Sequence, residues 1–379
     1  MSSTNDTGQD SEIVDRAVEW LRAAVPANWS VDIASVSYAG GNLQQPRRLD
    51  SAIELTTGQG IRAVLIVQAR RRFTPRDAEI FSTSLTMQLR TVNSNPPILV
   101  ISEWLSSRTR ERLQAQGVNY LDLTGNALLR LESPALFIGT TGSGKAPKPV
   151  ERGAVRLRGA KAARVVRLMA DVRPPFGVQE IAAATGVTAS YVSRLIDFFD
   201  GEALIERTKR GKVQSVDVDG LLRRWASQYD VFRSNDARTY IAPRGATALL
   251  EQLRQSNAIQ DAVVVTGSFA AVRWAPVASP ALLAMYSGNP EGLAEKFALL
   301  PSDEGSNVAL LRPYDKVVWE RTTTDGAIRY AAASQVAVDC LSGNGRMPAE
   351  GDALLAWMSS NKSTWQLPSV TTGEGDAAP

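Results

Sequence analysis

Nineteen residues, Val178 to Ile196, restrict this chain more than any other stretch of it. Ala182 is small, as it must be where two helices cross closely, and Gly186 follows four residues later, suiting the left-handed backbone of a tight turn between them. Val187 is placed to plug the junction, and Thr188 to cap the next helix by accepting from a backbone N–H. Val192, Leu195, Ile196 and Phe199 then recur at i, i+3, i+4 and i+7, which predicts one buried helical face. Ser190, Tyr191, Ser193 and Arg194 are left largely on the other. Upstream, Val165, Val166, Leu168 and Met169 predict a further helix over Ala163–Met169. Downstream, Ala203–Arg207 and Val213–Val216 read as two strands around a turn at Thr208–Lys212, a hairpin carrying Arg207, Lys209, Arg210 and Lys212.

Charge coincides with this segment. From Lys145 to Lys212 there are 14 Lys/Arg against seven Asp/Glu, a surplus of seven, whereas the whole chain carries only +3, so the remainder sums to −4. Such local concentration is the electrostatic footprint of a nucleic-acid contact. Composition also excludes. The chain has no His and a single Cys, Cys340. Ser-His-Asp or Cys-His catalysis, His-ligated zinc, multi-Cys metal sites and an internal disulfide are therefore unavailable. Carboxylates, Lys, Tyr or a carboxylate-bound metal remain as the only catalytic possibilities.

The helix–turn–helix spacing with its cationic hairpin resembles the winged helix-turn-helix of bacterial transcription regulators, over roughly residues 160–220. The resemblance implies double-stranded DNA as partner. Thr188, Ser190, Tyr191, Ser193 and Arg194 would face bases or phosphates in the major groove, and Arg207, Lys209, Arg210 and Lys212 would face phosphates. A winged helix used only for protein contacts is the alternative.

At 379 residues the chain is too long for one ordinary core. The expected fold is multidomain α/β and α+β, in four parts: residues 11–140 (α/β), 150–232 (winged helix), 236–360 (α+β) and a disordered tail, 361–379. Gly142–Pro149, rich in Gly, Ser and Pro, reads as a linker, and a second break is placed near Ser234–Asp236. In the first domain the pattern predicts a helix over Ile13–Ala24, a hairpin of Ala52–Thr57 with Ile61–Ala69, and a helix from Thr74 to about Arg90 with Thr as N-cap and Pro at N1. A strand at Ile98–Ser102, a helix at Ser107–Gln116 stopped by Gly117, and a strand at Asn119–Leu123 complete it. This order resembles the restriction-endonuclease-like fold, whose working members hold Mg²⁺ on an Asp and on a Glu-x-Lys of the second hairpin strand. Asp50 and Glu54 would be the carboxylates, but the second strand reads Gln68-Ala69-Arg70. Gln is a poorer Mg²⁺ ligand and Arg does not readily exchange a proton, so this resembles a degenerate nuclease site with no metal and no catalysis. An unrelated α/β domain is the alternative, and Arg70-Arg71-Arg72 reads as a solvated charge run.

Gly139–Lys145 fits the G-x-x-x-x-G-K spacing of a phosphate loop. Ala146 replaces the hydroxyl that binds Mg²⁺, and Pro147 and Pro149 oppose the following helix, so no nucleotide is expected there. In the C-terminal part, strands are predicted at Ala262–Thr266, Ala281–Tyr286, Val308–Leu311 and Val317–Glu320. Helices are predicted at Gly245–Leu253, Gly292–Phe297, Ser334–Leu341 and Glu350–Met358. A strand ending in Gly267-Ser268 is similar to that of nucleotidyltransferases, but Phe269–Pro280 contains no carboxylate to bind their metals. Ser334–Leu341 followed by Gly345-Arg346-Met347-Pro348 resembles the C-terminal region of antitoxins of the abortive-infection E class, type IV toxin–antitoxin regulators that repress their own operon. Here the winged helix is central and preceded by a large extra domain, a departure from that class. Gln335, Asp339 and Arg346 read as helix-capping and salt-bridge residues.

The expected function is that of a sequence-specific DNA-binding transcription regulator, a repressor, without cofactor or enzymatic activity. Alternatives are a metal-dependent nuclease or defence-associated protein using the N-terminal domain, and an antitoxin acting by contact with a toxin or other protein. A homodimer, a cytoplasmic location and no membrane association are expected, since no apolar run approaches the roughly 18 residues of a span and the N-terminus is polar.

Overall fold

A computed structural model describes residues 6–34, 51–80, 97–144, 155–208, 210–256 and 263–370. The chain is mixed α/β and divides into two compact units, Met1–Ala154 with Gly201–Ala203, and the remaining residues from Val155 onward.

The first unit is a sheet covered on both faces. Its strands are β1 (Ser30–Ala34), β2 (Ser51–Thr56), β3 (Arg62–Ala69), β4 (Ile98–Ser102), β5 (Asn119–Asp122), β6 (Ala127–Leu131) and β7 (Leu136–Thr140), hydrogen-bonded in that order. The β3–β4 and β4–β5 pairs are parallel and the others antiparallel. Alternation assigns the two faces. Ile53, Leu55, Leu65, Val67, Leu99 and Ile101 meet Ile13, Val14, Ala17, Val18 and Leu21 of helix α1 (Asp6–Ala24), while Val100, Tyr120 and Leu128 meet Phe73, Ala78, Leu105 and Leu113. The latter come from the start of helix α2 (residues 75–80), from helix α3 (Ser107–Ala115) and from the segments before each. At Thr74 the predicted cap is present: Asp77 N donates to its Oγ1 at 3.2 Å, and Thr74 N donates back to Asp77 Oδ2 at 2.8 Å. The helix predicted to run on to Arg90 leaves the described residues after 80.

The linker prediction needs correcting at its start. Asp122 is fully buried and accepts from Leu105 N, Thr124 N and Asn126 N at 2.9–3.1 Å. Asn126 in turn accepts from Gly142 N at 3.0 Å and donates to Ser143 O at 3.1 Å. A Cβ on Gly142 would fall 2.1 Å from Thr124 O, so glycine is required there for close backbone approach. Gly142 and Ser143 therefore belong to the first unit. Gly139 and Thr140, the start of the phosphate-loop spacing, lie in strand β7. Lys145–Pro149 lie outside the described residues.

The second unit was expected as two domains meeting near Ser234–Asp236, yet it has a single core. Buried side chains from Leu157 through Trp225 and Tyr240 to Met358 form one continuous cluster. Its large sheet is ordered β13 (Leu300–Pro301), β10 (Asp236–Ile241), β14 (Val308–Arg312), β12 (Leu283–Ser287), β11 (Val263–Thr266), β16 (Ile328–Tyr330), β15 (Thr323–Asp325). Helices α4 (Ala160–Asp171), α7 (Val218–Ala226) and α12 (Ala333–Leu341) pack together, with α13 (Met347–Ser360) against α12.

Two buried polar centres join distant segments of this unit. Arg167 on α4, fully buried, donates to Asp171 Oδ2 at 3.1 Å, Gln335 Oε1 at 2.9 Å, Val317 O at 3.2 Å and Glu320 O at 3.0 Å. Asp171 also accepts from Arg321 at 2.6 Å and from Ser334. Asp339 on α12 accepts from Thr266 at 2.5 Å, Tyr286 and Gln335 at 2.8 Å and Tyr229 at 3.0 Å. Gln335 and Asp339, expected to cap a helix or form a salt bridge, do neither: both are buried in hydrogen bonds between elements. Arg346, by contrast, is exposed, has no salt bridge among the described residues, and stands just before α13.

Two further corrections concern the C-terminal part. Val317–Glu320, predicted as a strand, holds a 3-10 turn, Lys316–Trp319, because Asp315 Oδ1 accepts from Val317 N at 2.9 Å and caps it. The segment expected to begin a disordered tail is folded through residue 370. Helix α14 (Lys362–Trp365) leads to Leu367, whose carbonyl accepts from Arg173 N at 2.9 Å and whose N–H donates to Asp171 O at 2.8 Å.

Candidate nucleic-acid interface

Helix α4 is followed by α5 (Val178–Thr185), α6 (Ala189–Gly201) and a two-stranded hairpin, β8 (Ile205–Arg207) with β9 (Val213–Val216). Each boundary has a local cause. Gly177 opens α5 by donating its N–H to Glu180 Oε2 at 2.9 Å. That bond, helped by Lys212 and opposed by a little desolvation, holds the Glu180 carboxyl below its ordinary value. Gly186 closes α5 at φ +63°, the left-handed conformation that its spacing predicted. Val187 is buried in the junction. Thr188 departs from expectation: its carbonyl accepts the first helical N–H groups, from Tyr191 and Val192, while its hydroxyl lies 3.5 Å from Ser190 Oγ.

Helix α6 buries Val192, Leu195, Ile196 and Phe199, the stripe read from its periodicity. Thr188, Ser190 and Arg194 are exposed, and Tyr191 and Ser193 are half-buried. The Arg194 guanidinium sits 5.5 Å from the centre of the Tyr191 ring, within cation–π range, so the two form one amphipathic patch. Partial burial raises the Tyr191 hydroxyl pKa and Arg194 opposes the rise. The phenol stays neutral, able both to donate and to accept.

The hairpin is antiparallel, with Glu206 opposite Ser215 and a bulge between Glu206 and Arg207. Its turn is closed by Thr208 N to Lys212 O at 2.9 Å and Gly211 N to Thr208 O at 2.9 Å. Phe176 bridges Val213, tying the hairpin to the segment between α4 and α5.

Its cations are not equivalent, which corrects their common assignment to phosphates. Arg207 reaches back to α6 and donates to Asp197 at 2.8 Å and Asp200 at 2.7 Å. Burial works against its charge, but the two carboxylates outweigh burial and hold the guanidinium above its ordinary value. Arg207 is a structural tie. Lys212 lies 3.4 Å from Glu180, with both side chains about half exposed, a weak surface pair that a phosphate can displace. Arg210 is exposed and has no ion pair among the described residues. Lys209 lies outside the described residues. The helix N-cap pattern Gly177-x-x-Glu180 was legible beforehand and would have flagged one of these carboxylates. Asp197 and Asp200, on the half-exposed flank of α6, carried no such signal.

Of the residues expected in a degenerate nuclease site, Glu54 and Gln68 are not brought together. Glu54 pairs across the hairpin with Val64, four residues from Gln68 on β3. At about 3.4 Å per residue, Glu54 and Gln68 are separated by roughly 14 Å along the strands. Glu54 lies 3.4 Å from Arg62, and Arg70 lies 3.2 Å from Asp77. Arg71, in the same basic run, pairs with Glu103 at 2.8 Å. Asp50 lies outside the described residues. Among the described residues no group of three metal-ligating side chains occurs.

With this geometry established, one comparison is positive. Residues 214–352 are similar to the family described as "Transcriptional regulator, AbiEi antitoxin, Type IV TA system". The match opens inside β9 and ends within α13, somewhat over a third of the 379-residue chain, and leaves out α4, α5, α6 and the whole first unit. It includes the Ser334–Leu341 run on which the antitoxin resemblance rested. Searches of curated proteins and of solved structures each found no match. No helix among the described residues is long and apolar enough to cross a membrane.

Proposed function

We propose that this chain is a sequence-specific double-stranded DNA-binding transcription regulator, acting as a repressor through a winged helix-turn-helix formed by α4, α5, α6 and the β8–β9 hairpin. The observation that carries the reading is the composition of the open face of α6. Thr188, Ser190 and the Arg194–Tyr191 pair are left accessible opposite a fully apolar stripe, and Arg207 fixes that helix to a hairpin bearing the open cation Arg210. The regulator family matched by residues 214–352 supports the same reading. In it, Arg194 reads a base edge, and Arg210 and Lys212 hold phosphates. The partner is duplex DNA bound by a homodimer in the cytoplasm, and a toxin protein is a second partner in keeping with the matched family's description. The first unit, with the element order of a nuclease-like fold and with Glu54 and Gln68 apart on its hairpin, serves without metal, cofactor or catalysis.

Selection of bound sequences from a random duplex pool by the full chain tests this. Arg194→Ala is expected to weaken the selected sequence by about 1–3 kcal/mol and to relax preference at one position. Arg210→Ala should weaken all duplexes alike and lower the salt slope by about one. Equal loss from Arg194→Ala on selected and random duplexes would remove it from the base-reading set. For the first unit the expected outcome is an intact supercoiled plasmid after incubation with Mg²⁺ or Mn²⁺. Nicking abolished by Glu54→Ala would contradict that assignment.

A further inference from the structure

One groove in the second unit takes no part in the face described above. It encloses about 480 Å³ between the base of the hairpin and the start of α14, lined among others by Arg173, Gln214, Ser215, Val216, Lys362 and Ser363. No carboxylate is among its lining residues. Two cations in one groove repel and favour an anion between them, and the carboxylate nearest the lining, Glu206, is occupied by the hydroxyl of Ser215 at 3.0 Å. The ordinary satisfaction of the cations is incomplete. Arg173 Nη2 donates only to Lys362 O, at 3.3 Å, and Arg173 Nε is buried with no hydrogen-bond partner among the described residues. The Nε lies beneath the surface, whereas the terminal nitrogens carry the charge-assisted donors that best accommodate a charged oxygen.

The groove is held in shape from both sides. Arg173 N bonds Leu367 O, Gln366 Nε2 bonds Ala170 O at 2.8 Å, and Val213 is bridged to Phe176. The cations come from two segments joined by these bonds, and Ser363 and Gln214 line the same groove. Two cations favour a phosphate, near −2 at neutral pH, over a singly charged carboxylate. Pro174, Val216 and Val218 add an apolar wall for whatever the anion is attached to.

We propose that this groove binds a phosphate group, held by Arg173 and Lys362, with the body of a phosphorylated ligand resting on Pro174, Val216 and Val218. Occupied, it clamps the base of the hairpin to the C-terminal segment. The phosphate has two possible sources, a free phosphorylated small molecule or the backbone of the duplex, and the site itself does not depend on the DNA-binding reading.

The test is titration of the full chain with inorganic phosphate and with phenyl phosphate at constant ionic strength, followed by ³¹P line broadening and calorimetry, with acetate as control. Saturable binding of both phosphates is expected, stronger for phenyl phosphate. It should weaken at least about tenfold in Arg173→Gln and in Lys362→Gln, the loss of one charge-assisted contact each. Lys362 is exposed, so its variant keeps the test available should Arg173→Gln fail to fold. Duplex binding then separates the sources. An unchanged salt slope in Lys362→Gln assigns the site to a free ligand, and a slope lowered by about one assigns it to the DNA backbone. Absence of saturable phosphate binding, undiminished binding in both variants, or equal binding of acetate would overturn the proposal.

Discussion

Arg167→Ala is expected to lower the unfolding free energy of the second unit by about 3–5 kcal/mol, the cost of breaking a buried ion pair by removing one partner. Arg167 is fully buried, and its loss would strand Gln335 Oε1 and the Glu320 carbonyl and leave the Val317 carbonyl with the Glu320 N–H alone. Asp171 would keep Arg321 and Ser334, which sets a limit on the damage. The comparison variant is Arg164→Ala. That residue pairs with Asp315 at 2.7 Å but is 24% exposed, so solvent replaces part of what is lost and the cost should be clearly smaller. Urea unfolding of both variants checks the ranking. A midpoint for Arg167→Ala indistinguishable from wild type would mean that α4 does not depend on the α12 contact.

The second large effect is linked to pH. Burial raises the Asp339 carboxyl from 3.8 to about 6, against the lowering effect of hydrogen bonds from Thr266, Gln335, Tyr286 and Tyr229. Below the unfolded value the side chain is protonated in both states. Between that value and about 6 the unfolded chain releases the proton while the folded chain retains it, so stability from this group falls as pH rises. Asp339→Asn removes the titration. The stability of wild type relative to Asp339→Asn should therefore fall by about 2 kcal/mol between pH 4.5 and pH 7.5, read from urea unfolding at the two values. A difference independent of pH would show that Asp339 does not change protonation there on unfolding.

Both centres explain why parts of this fold were legible in the sequence and parts were not. Local periodicity was enough for α1, the β2–β3 hairpin, α3 and the apolar stripe of α6, because each is decided by neighbours three or four residues away. Gly186 was legible for the same reason. Arg167 was not, since its partner Gln335 lies 168 residues along the chain and a cation within a helix reads as an exposed one. That contact, with the shared apolar cluster, is also why a break placed at Ser234–Asp236 divides no core. Val317–Glu320 misled because two adjacent valines suggest a strand, whereas the decisive group was the capping carboxylate of Asp315. Short strands such as β13 and β15 have too few residues to show alternation.

At the candidate interface, spacing identified the residues on the open side of α6. It did not reveal how the charges there would be used. Arg207 and Lys212 occupy similar places in a basic run, yet one is taken up by two carboxylates of α6 and the other is only loosely paired. That distinction depends on which end of α6 the hairpin meets, and no local pattern encodes it. The Arg173–Lys362 groove was hidden for a like reason: its cations come from segments far apart in the chain and from a stretch expected to be unstructured.

Affinity cleavage tests the central claim most directly. The sole cysteine, Cys340, is buried, so Ser190→Cys gives a single reactive site at which an iron chelate can be attached on the exposed face of α6. On the duplex selected by the wild-type chain, cutting is predicted to cluster across one major groove within the bound site, and to vanish on unrelated duplex. Protection of the duplex without any cutting from position 190, or cutting only when the chelate is moved to Gln59→Cys in the first unit, would contradict it.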